Sequence, residues 1–536
     1  MYMKKVSVFI EILDNFSSNK KIIESFKKIY GNDIAVIKEN IKRYKKALKF
    51  FGKMYGYDRK VMIVRTPCRL NLMGMHIEQE GGSINSIATK EIIMVVEPRE
   101  DSKVVVCDTS KKQNISQFDI TKELPLKKIE KWKEWALKRL EKKIENKEII
   151  NEIEEIDYIK APILCFQNKN KDKKFKGMNV VIERDISPFT IGINFFSSLL
   201  VASAFTISKI NNLSISNEKL LEVCEEAEWY FGTQKRTGHY ATIIFGKLNH
   251  VLHIDFNPLK IKKIPFENNY KIIVCNSFKQ SKKSEIAKDV LSQKKATYKI
   301  GLMLIKKYFP EIANKCKYLK DINPAFLNND EISIYKMLYA IPEIITRETL
   351  QNKISDQKNQ LEELFKTHNN PKKYGYKVRQ IMLYGVSECE RSKIFAECLE
   401  KKQFEKLGKI INISHEGDRV LKNKRITNRK LDKIIKCLQD NDVQKKENNR
   451  LYNQSGGYEV SCKEVDEIVD ISCSVKGVLG ARLADAELNN CIIIFVKKEV
   501  VSNLIAEINN KYYKPNKLSL GIEDCIPIEG IGVLNI

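Results

Sequence analysis

RTPCRLNLMGMHIEQEGG, residues 65–82, is the stretch of this sequence from which its fold can be predicted. The apolar run of residues 61–64 comes directly before it, and Pro67 lies near its start. The stretch then places Arg69, His76 and Glu78 between small and apolar residues. An apolar run followed by glycines and polar side chains is typical of a strand that leads into a tight loop. The stretch is therefore the first candidate for a ligand-binding segment.

The same stretch resembles the first motif of galactokinases in the GHMP small-molecule kinase superfamily, P-G-R-x-N-L-x-G-E-H-x-D-Y-x-G-G. The matching residues are Arg69, Asn71, Gly74, His76, Gly81 and Gly82. The departures are Cys68 for Gly, Met75 for Glu, Glu78 for Asp and Gln79 for Tyr. The resemblance implies an α+β protein with the two-domain GHMP kinase fold, in which the N-terminal domain is ribosomal-protein-S5-domain-2-like and the C-terminal domain ferredoxin-like. It also implies that His76 and Glu78 bind the substrate, although Met75 removes one carboxylate.

Composition narrows the class of protein further. The chain has 536 residues, of which 43% are hydrophobic, enough to bury one or two sizeable cores. Its longest apolar runs are too short to span a membrane, and Glu11 and Asp14 interrupt the apolar stretch near the N-terminus. We therefore expect neither a membrane span nor a signal peptide, and we expect the protein in the cytoplasm.

The excess of basic over acidic residues does not by itself indicate a nucleic-acid partner. The formal net charge is +26, but the lysines are dispersed among abundant Ile and Asn. Nucleic-acid binders usually concentrate basic and aromatic residues on one surface, and the sequence has no such patch.

The 13 cysteines show no C-x-x-C pair, so we expect reduced thiols and neither a zinc site nor disulfides. A small-molecule ligand is the expected partner.

The pattern along the chain, together with the family resemblance, predicts three regions. Residues 1–58 form a helical lead-in, in which Ile41, Tyr44, Leu48 and Phe51 have the spacing of one helix face. Residues 59–290 form the N-terminal domain of the GHMP kinase fold. Residues 291–536 form its C-terminal domain, with a helical insertion at about 300–380.

Residues 178–210 resemble the second family motif, the phosphate-binding loop P-x-x-x-G-L-S-S-S-A-A at the start of a helix. Gly192 matches, but the serine trio falls on Asn194, Phe195 and Phe196, and Ser197 and Ser198 follow in place of the alanines. Small residues are needed there because the backbone N–H groups must come close enough to the phosphates to donate hydrogen bonds to them. Two interpretations stay open. In the first, the two phenylalanines pack the start of the helix into the core. In the second, the loop is shifted so that Gly192, Ser197 and Ser198 bind the nucleotide and Ser198 also binds Mg²⁺.

Residues 224–239, CEEAEWYFGTQKRTGH, resemble the family segment that carries the catalytic groups. By this resemblance Glu228 is the Mg²⁺ ligand, and Gly232, Thr233 and Gln234 match the lead-in to the catalytic position. The family's catalytic Asp is replaced by His239, and a flexible glycine pair by Arg236 and Thr237. Arg69 and His239 are therefore the candidate catalytic residues. A neutral imidazole cannot pair with Arg69 as a carboxylate does, and a neighbouring cation disfavours its charged form.

Two further segments toward the C-terminus complete the resemblance. Residues 480–491 match the third motif, a glycine-rich turn near the phosphates, at Gly480, Arg482, Ala486 and Cys491, whereas its glycines fall on Asp485, Glu487, Asn489 and Asn490. Acidic side chains there would repel phosphate. His415 and Asp418 stand at a predicted helix end, where we expect packing and capping roles.

Phosphoryl transfer depends mainly on positioning and on charge that neutralises the moving phosphate. The sequence keeps Arg69 and Glu228 but loses the catalytic Asp, the serine trio and most motif glycines. We therefore expect a galactokinase-like sugar kinase by descent, which would use ATP and Mg²⁺ on galactose or a related sugar, with catalysis lost or strongly impaired. The alternative is a non-catalytic sugar-binding or regulatory pseudokinase that needs no cofactor.

Overall fold

The structure is a computed structural model that describes residues 3–110, 115–145, 154–184, 195–232, 236–279, 285–313, 315–328, 330–371, 374–421, 425–484 and 491–536. The strands are β1 Lys4–Lys5, β2 Lys60–Met73, β3 Ile84–Pro98, β4 Lys103–Asp108, β5 Ile115–Asp119, β6 Met178–Arg184, β7 His250–Asp255, β8 Lys260–Pro265, β9 Tyr270–Asn276, β10 Val478–Leu483, β11 Cys491–Lys497, β12 Ile522–Asp524 and β13 Gly532–Val533. The helices are α1 Val6–Asp14, α2 Lys20–Tyr30, α3 Ile34–Tyr55, α4 Trp132–Glu145, α5 Glu155–Lys169, α6 Phe195–Ile210, α7 Asn217–Ala227, α8 Thr237–Phe245, α9 Glu285–Tyr308, α10 Pro310–Ala313, α11 Glu331–Ala340, α12 Arg347–Lys353, α13 Lys358–Phe365, α14 Val378–Glu400, α15 Phe404–Asp418, α16 Asn428–Gln439, α17 Val443–Asn449, α18 Lys463–Ser474 and α19 Val501–Ile508.

These elements form two compact units whose segments alternate along the chain. Unit 1 consists of Met1–Leu70, Ile87–His250 and Ile526–Ile536, and unit 2 of Asn71–Ser86 and Val251–Cys525. Strands β2 and β3 therefore each contribute residues to both units. The domain limits expected from the sequence, 59–290 and 291–536, are continuous segments, and they stay a prediction.

Unit 1 is built on a mixed sheet with the strand order β1-β2-β3-β6-β4-β5. Strand β6 runs antiparallel to β3 and parallel to β4. The helical lead-in, α1 to α3, buries its apolar face in one core with side chains of these strands. The face expected from the sequence of α3 is confirmed, because Ile41, Tyr44, Leu48 and Phe51 are all buried.

A buried ionic cluster ties three distant segments of unit 1 together. The Arg65 guanidinium donates to the Glu91 carboxylate at 3.0 Å and to the backbone carbonyls of Glu529 and Gly530, each at 2.6 Å. The hydroxyl groups of Tyr30 and Tyr44 donate to the same carboxylate from the lead-in helices. Each charged group thus has several partners, as a buried ion pair requires.

The segment Ile526–Ile536 returns to unit 1 after the whole of unit 2. Strand β13 pairs antiparallel with β2, with Gly532 opposite Arg65. The backbone N–H of Leu534 donates to the Ile63 carbonyl at 2.9 Å, and the side chains of Ile528 and Leu534 are buried in the same core as the lead-in helices. The last residues of the sequence are therefore part of the unit 1 core.

Unit 2 contains a four-stranded antiparallel sheet in the order β10-β11-β9-β12. Its central helix is α14, in which every residue from Val378 to Cys389 is buried. Helices α9 and α15 pack against α14 in one extended core. A helix buried on all sides must satisfy its polar residues internally, and α14 carries Glu388 inside this core.

Residues 84–98 form one continuous strand, β3, although Lys90 within it has a φ of +49°. Within the part of the chain that the structure describes, no helix is long and apolar enough to cross a membrane.

Candidate functional site

The candidate site residues of unit 1 begin at the N-terminus of α6. Phe195 lies with its ring under the Arg184 guanidinium, 4.2 Å from the ring centroid, and Phe196 stacks on Tyr158 at 4.7 Å. Tyr158 in turn stacks on Phe231 at 4.4 Å. The interpretation in which both phenylalanines fill the core is wrong for Phe196, whose side chain is 44% exposed. Bulky aromatic side chains nevertheless occupy the first turn of the helix, where the family motif has serines.

The two candidate catalytic residues are in direct contact. Arg69, on β2, and His239, on α8, lie 2.8 Å apart between Nη1 and Nε2. The other ring nitrogen of His239, Nδ1, lies 3.4 Å from the Ser197 hydroxyl on α6. The structure therefore brings Arg69, Ser197 and His239 together.

The contact with Arg69 determines which nitrogen of the His239 imidazole carries the proton. A guanidinium has only donors, so Arg69 donates and His239 Nε2 accepts through its ring lone pair. The ring proton of the neutral form is then on Nδ1, facing Ser197. Burial, together with the positive charges of Arg69 and Arg236, lowers the pKa of His239 well below its ordinary value of 6.5. His239 is therefore neutral at physiological pH, and the nitrogen that faces Arg69 is already engaged.

Glu228, the predicted metal ligand, lies in a short 3-10 helix, Glu228–Phe231, between α7 and α8. Its carboxylate accepts a hydrogen bond from the Arg236 backbone N–H at 2.8 Å, and its other oxygen lies 3.4 Å from Arg236 Nε. Arg236 stands where the family has a flexible glycine. The Arg236 guanidinium thus occupies the position beside the Glu228 carboxylate that a metal cation would need.

Ser198, predicted as a nucleotide and metal ligand, is fully buried on α6 and donates to the Pro67 carbonyl at 2.9 Å. Mg²⁺ prefers an octahedral set of oxygen ligands supplied by carboxylates, phosphates and water. In the described residues no group of three or more His, Cys, Asp or Glu side chains is placed to hold a metal ion. With Glu228 paired to Arg236, these residues do not fit the Mg²⁺ site that the family pattern implies.

Other predicted site residues lie outside the described residues. They are Gly192 and Asn194 of the second motif, Thr233 and Gln234 of the catalytic segment, and Asp485, Glu487, Asn489 and Asn490 of the third. The nucleotide role of Gly192 therefore stays a prediction.

Unit 2, described by itself, contains the loop of the first motif. Gly74 has a φ of +91°, and a Cβ there would lie 2.4 Å from the Ser83 carbonyl oxygen, which explains why this position is glycine. Glu78 begins a one-turn 3-10 helix, Glu78–Glu80. Met75, where the motif has a carboxylate, is buried in the unit 2 core.

His76 lies on the same loop with a φ of +69°. Its ring stacks on Tyr458, with centroids 4.0 Å apart, and its Nε2 lies 3.3 Å from an Asp418 carboxylate oxygen on α15. His415, three residues before Asp418, is buried and contacts Asp466 at 3.1 Å. The packing role expected for His415 is confirmed, because its Nδ1 also accepts from the Leu483 backbone N–H at 3.3 Å.

Sequence reasoning missed a buried ionic network behind this loop. Glu388 accepts from Arg391 Nε at 2.7 Å, from the Ser414 hydroxyl at 2.8 Å, and from Arg482 Nη1 and the Gly74 backbone N–H at 3.2 Å each. Glu388, Arg391 and Arg482 are almost completely inaccessible to solvent. The Glu-x-x-Arg spacing of Glu388 and Arg391 was the available signal, because it places opposite charges on one face of a helix.

Comparison with known proteins agrees with this architecture. The galactokinase of Lactococcus lactis, whose crystal structure was determined with galactose, superposes with a TM-score of 0.61 at 17% identity, over 90% of this chain and 98% of that one. The chain therefore has the fold of the GHMP kinases. No protein-family model matches it.

Within that class, the sequence similarity is to galactokinases. The chain is 22% identical to the galactokinase of Dictyostelium discoideum over 554 aligned residues, which cover 94% of this chain and 95% of the relative. It is 24% identical to that of Clostridium tetani over 455 residues, covering 84% and 87%. The chain is thus galactokinase-like by homology along most of its length.

Proposed function

We propose that this chain is a sugar-binding protein descended from galactokinases, in which phosphoryl transfer from ATP is lost or strongly impaired. Its ligand is galactose or a related sugar. The observation that carries the proposal is the contact between Arg69 and His239. A base must offer a lone pair to the sugar hydroxyl, and the His239 nitrogen at this contact already accepts from Arg69.

The depressed pKa of His239 argues in the same direction. A general base works best when its pKa lies near the working pH, and the buried imidazole between Arg69 and Arg236 has a pKa well below that range. Loss of a general base costs on the order of 10² to 10⁴ in rate. The pairing of Glu228 with Arg236 adds the loss of a Mg²⁺ ligand.

An active sugar kinase is the second candidate, because Arg69 and Glu228 are retained and the similarity to galactokinases covers most of the chain. ATP would then supply the phosphoryl group and Mg²⁺ would neutralise its charge. Such activity would require Arg236 to leave the Glu228 carboxylate and nucleotide to bind beside Phe195 and Phe196.

Two measurements on the full chain decide between these candidates. Under the proposal, galactose raises the melting temperature because it binds only the folded state, whereas Mg·ATP does not. ADP formation with galactose then stays at background. Turnover at about 1 s⁻¹ or faster, an ordinary rate for an enzyme, would overturn the loss of catalysis.

A matched pair of arginine variants locates any residual activity. Arg69→Ala should abolish turnover that arises at this site, because Arg69 is the candidate catalytic residue that matches the family motif. Arg99→Ala is the control, since Arg99 also lies in unit 1 but pairs with Asp101 at an exposed position, 2.6 Å apart. Equal loss in both variants, or in neither, would remove Arg69 from the mechanism.

A further inference from the structure

Helix α3 of unit 1 carries exposed lysines along one face. The helix contains seven basic residues and a single acidic one, Glu39. We call four of its exposed residues the lysine row: Lys38, Lys42, Lys49 and Lys53. At 3.6 residues per turn and 1.5 Å per residue, the row lies within an arc of about 60° and extends over about 22 Å of helix. Glu39 falls outside this arc.

The lysines on the two sides of the row are paired within unit 1, whereas the row itself is not. Lys45 pairs with Asp14 of α1, and Lys46 pairs with Glu183 of β6 at 2.8 Å. The ammonium groups of the row form no ion pair with any residue that the structure describes. Four positive charges therefore face solvent side by side, between two lysines that are already neutralised.

Another lysine-rich helix of unit 1, α4, shows the ordinary situation. Its five basic residues alternate with three glutamates along the sequence. Glu134 of this helix pairs with Lys131, which precedes it, at 3.1 Å. Alternating charges of this kind give a solvated face with little net charge. The excess of positive charge on α3 is therefore not a general property of the helices in this lysine-rich chain.

The fold holds the lysine row in a fixed arrangement. The opposite face of α3, which carries Tyr44 and Phe51, is buried in the core of unit 1. At the start of the helix, the Asp33 carboxylate accepts from the Ala35 backbone N–H at 2.9 Å. An amphipathic helix that enters a lipid interface must place its apolar face in the lipid. The apolar face of α3 is already occupied, so a membrane is not the partner that this helix suits.

The length and charge of the row indicate what kind of partner fits it. A small anion would meet only one or two of the four lysines, because the row is about 22 Å long. Each strand of a nucleic-acid duplex carries a phosphate about every 3.4 Å along the axis, so a duplex offers phosphates to every lysine of the row. Proteins that bind single strands add aromatic side chains on which the bases stack, and no aromatic residue falls within the arc of the row.

We propose that the lysine row of α3 is a docking surface for the phosphate backbone of double-stranded nucleic acid. Lysine binds phosphate as a point charge, and contacts to phosphate carry no sequence information, so binding at this surface is independent of base sequence. In the sequence these lysines look dispersed because they are four or seven residues apart, and only the helix brings them to one face. The surface adds a second partner to the small molecule expected from the sequence, and it does not depend on the proposed sugar binding.

Fluorescence anisotropy of a labelled DNA duplex, titrated with the full chain at several salt concentrations, tests this surface. Each lysine that neutralises a phosphate adds about 0.9 to the slope of log K against log salt, so the row should contribute about 3.6. The quadruple variant Lys38→Gln, Lys42→Gln, Lys49→Gln and Lys53→Gln should lose this contribution. Replacing the same four lysines by arginine keeps the charge and should keep the slope. A variant with only Lys38→Gln and Lys42→Gln should lose about half of it, roughly 1.8.

A matched control removes the same charge from exposed lysines on four separate segments: Lys127→Gln, Lys260→Gln, Lys336→Gln and Lys498→Gln. This variant should keep nearly the whole slope of the wild type. Equal losses in the two quadruple glutamine variants would mean that only the net charge of the chain matters, which overturns the surface.

The remaining outcomes concern the partner. Failure of the wild type to bind the duplex, or a slope that the row variant leaves unchanged, would overturn the proposal. Tighter binding to polyglutamate or to vesicles of anionic lipid than to the duplex, at the same salt concentration, would overturn the choice of nucleic acid. The row variant should keep its melting temperature, because the four side chains are exposed, and any effect of galactose on that temperature should be the same as in the wild type.

Discussion

Removal of the Glu388 carboxylate is expected to destabilise unit 2 severely. Glu388 is the common acceptor for Arg391 and Arg482, which lie 2.7 and 3.2 Å away and are 0% and 1% exposed. In Glu388→Ala both guanidiniums stay buried without this partner. Breaking a buried ion pair from one side typically costs 3–5 kcal/mol, and we expect a loss of about 4 kcal/mol here.

The same network predicts how stability depends on pH. Burial alone would raise the pKa of the Glu388 carboxyl, but Arg391 and Arg482 outweigh it and hold this pKa at about 2, below its ordinary value of 4.5. A group whose pKa is lower in the folded state stabilises the fold above its unfolded pKa. That contribution, roughly 3 kcal/mol, is present above about pH 4.5 and is lost as the pH falls toward 2. Glu388→Gln should lack this pH dependence.

Hydrogen exchange of the amides of α14 and α15 measures the effect locally. The chain has three tryptophans, Trp132, Trp135 and Trp229, and all of them lie in unit 1. Tryptophan emission during urea unfolding therefore follows unit 1 and serves as an internal reference. We expect much faster exchange in α14 of Glu388→Ala, at urea concentrations where tryptophan emission is unchanged.

A control lies on the same helix. Glu397 forms an exposed pair with Lys401 at 3.4 Å, and exposed pairs contribute at most about 1 kcal/mol. Glu397→Ala should therefore hardly change the exchange of α14. Equal, small effects of Glu388→Ala and Glu397→Ala would refute the argument that Glu388 neutralises the two buried arginines.

Three further predictions concern other positions. Burial raises the pKa of Glu80 to about 7 despite nearby lysines, so unit 2 should lose stability as the pH rises from about 4.5 to 7, and Glu80→Gln should flatten this part of the pH–stability profile. Glu91→Ala should cost about 3–5 kcal/mol in unit 1, because Arg65 stays buried without its carboxylate; tryptophan-detected urea unfolding measures this loss, and a value below 1 kcal/mol would contradict it. Phe196→Ala should cost no more than about 1 kcal/mol because its side chain is 44% exposed, whereas Phe51→Ala, fully buried in α3, should cost about 3–5 kcal/mol in the same assay.

Much of the fold could be predicted because its signals are local. The face of α3 that carries Tyr44 and Phe51 follows from helical spacing, and strands β4 and β6 follow from their apolar runs. The resemblance of residues 65–82 then gave the family of folds. Residues near one another in sequence determine such features, so a single sequence is sufficient.

The pairings of charged residues could not be predicted, because they join positions far apart in the chain. Arg65 binds the carbonyl of Gly530, and Arg482 binds Glu388. Arg236 was interpreted only as the loss of a flexible glycine, whereas the structure makes it the partner of Glu228. A sequence shows which charges exist but not which of them meet.

The surroundings of His239 could be anticipated because they depended on one contact, whereas its catalytic role stays a prediction. The alignment placed an imidazole beside Arg69, and elementary electrostatics then required the neutral form. The structure has this contact at 2.8 Å, and burial together with the charges of Arg69 and Arg236 lowers the pKa of His239. The hydrogen-bonding tautomer, by contrast, followed only once the geometry of the two side chains was known.

The return of residues 526–536 to the core of unit 1 constrains the order in which the protein can be made. Leu534 and Ile528 are buried in the same core as the lead-in helices, and β13 pairs with β2 at Val64 and Arg65. On the ribosome, unit 1 therefore has to wait until all of unit 2 has been translated before its own core is complete. A nascent chain interrupted shortly before residue 526 would expose apolar side chains that were synthesised hundreds of codons earlier, and chaperones would have to shield them.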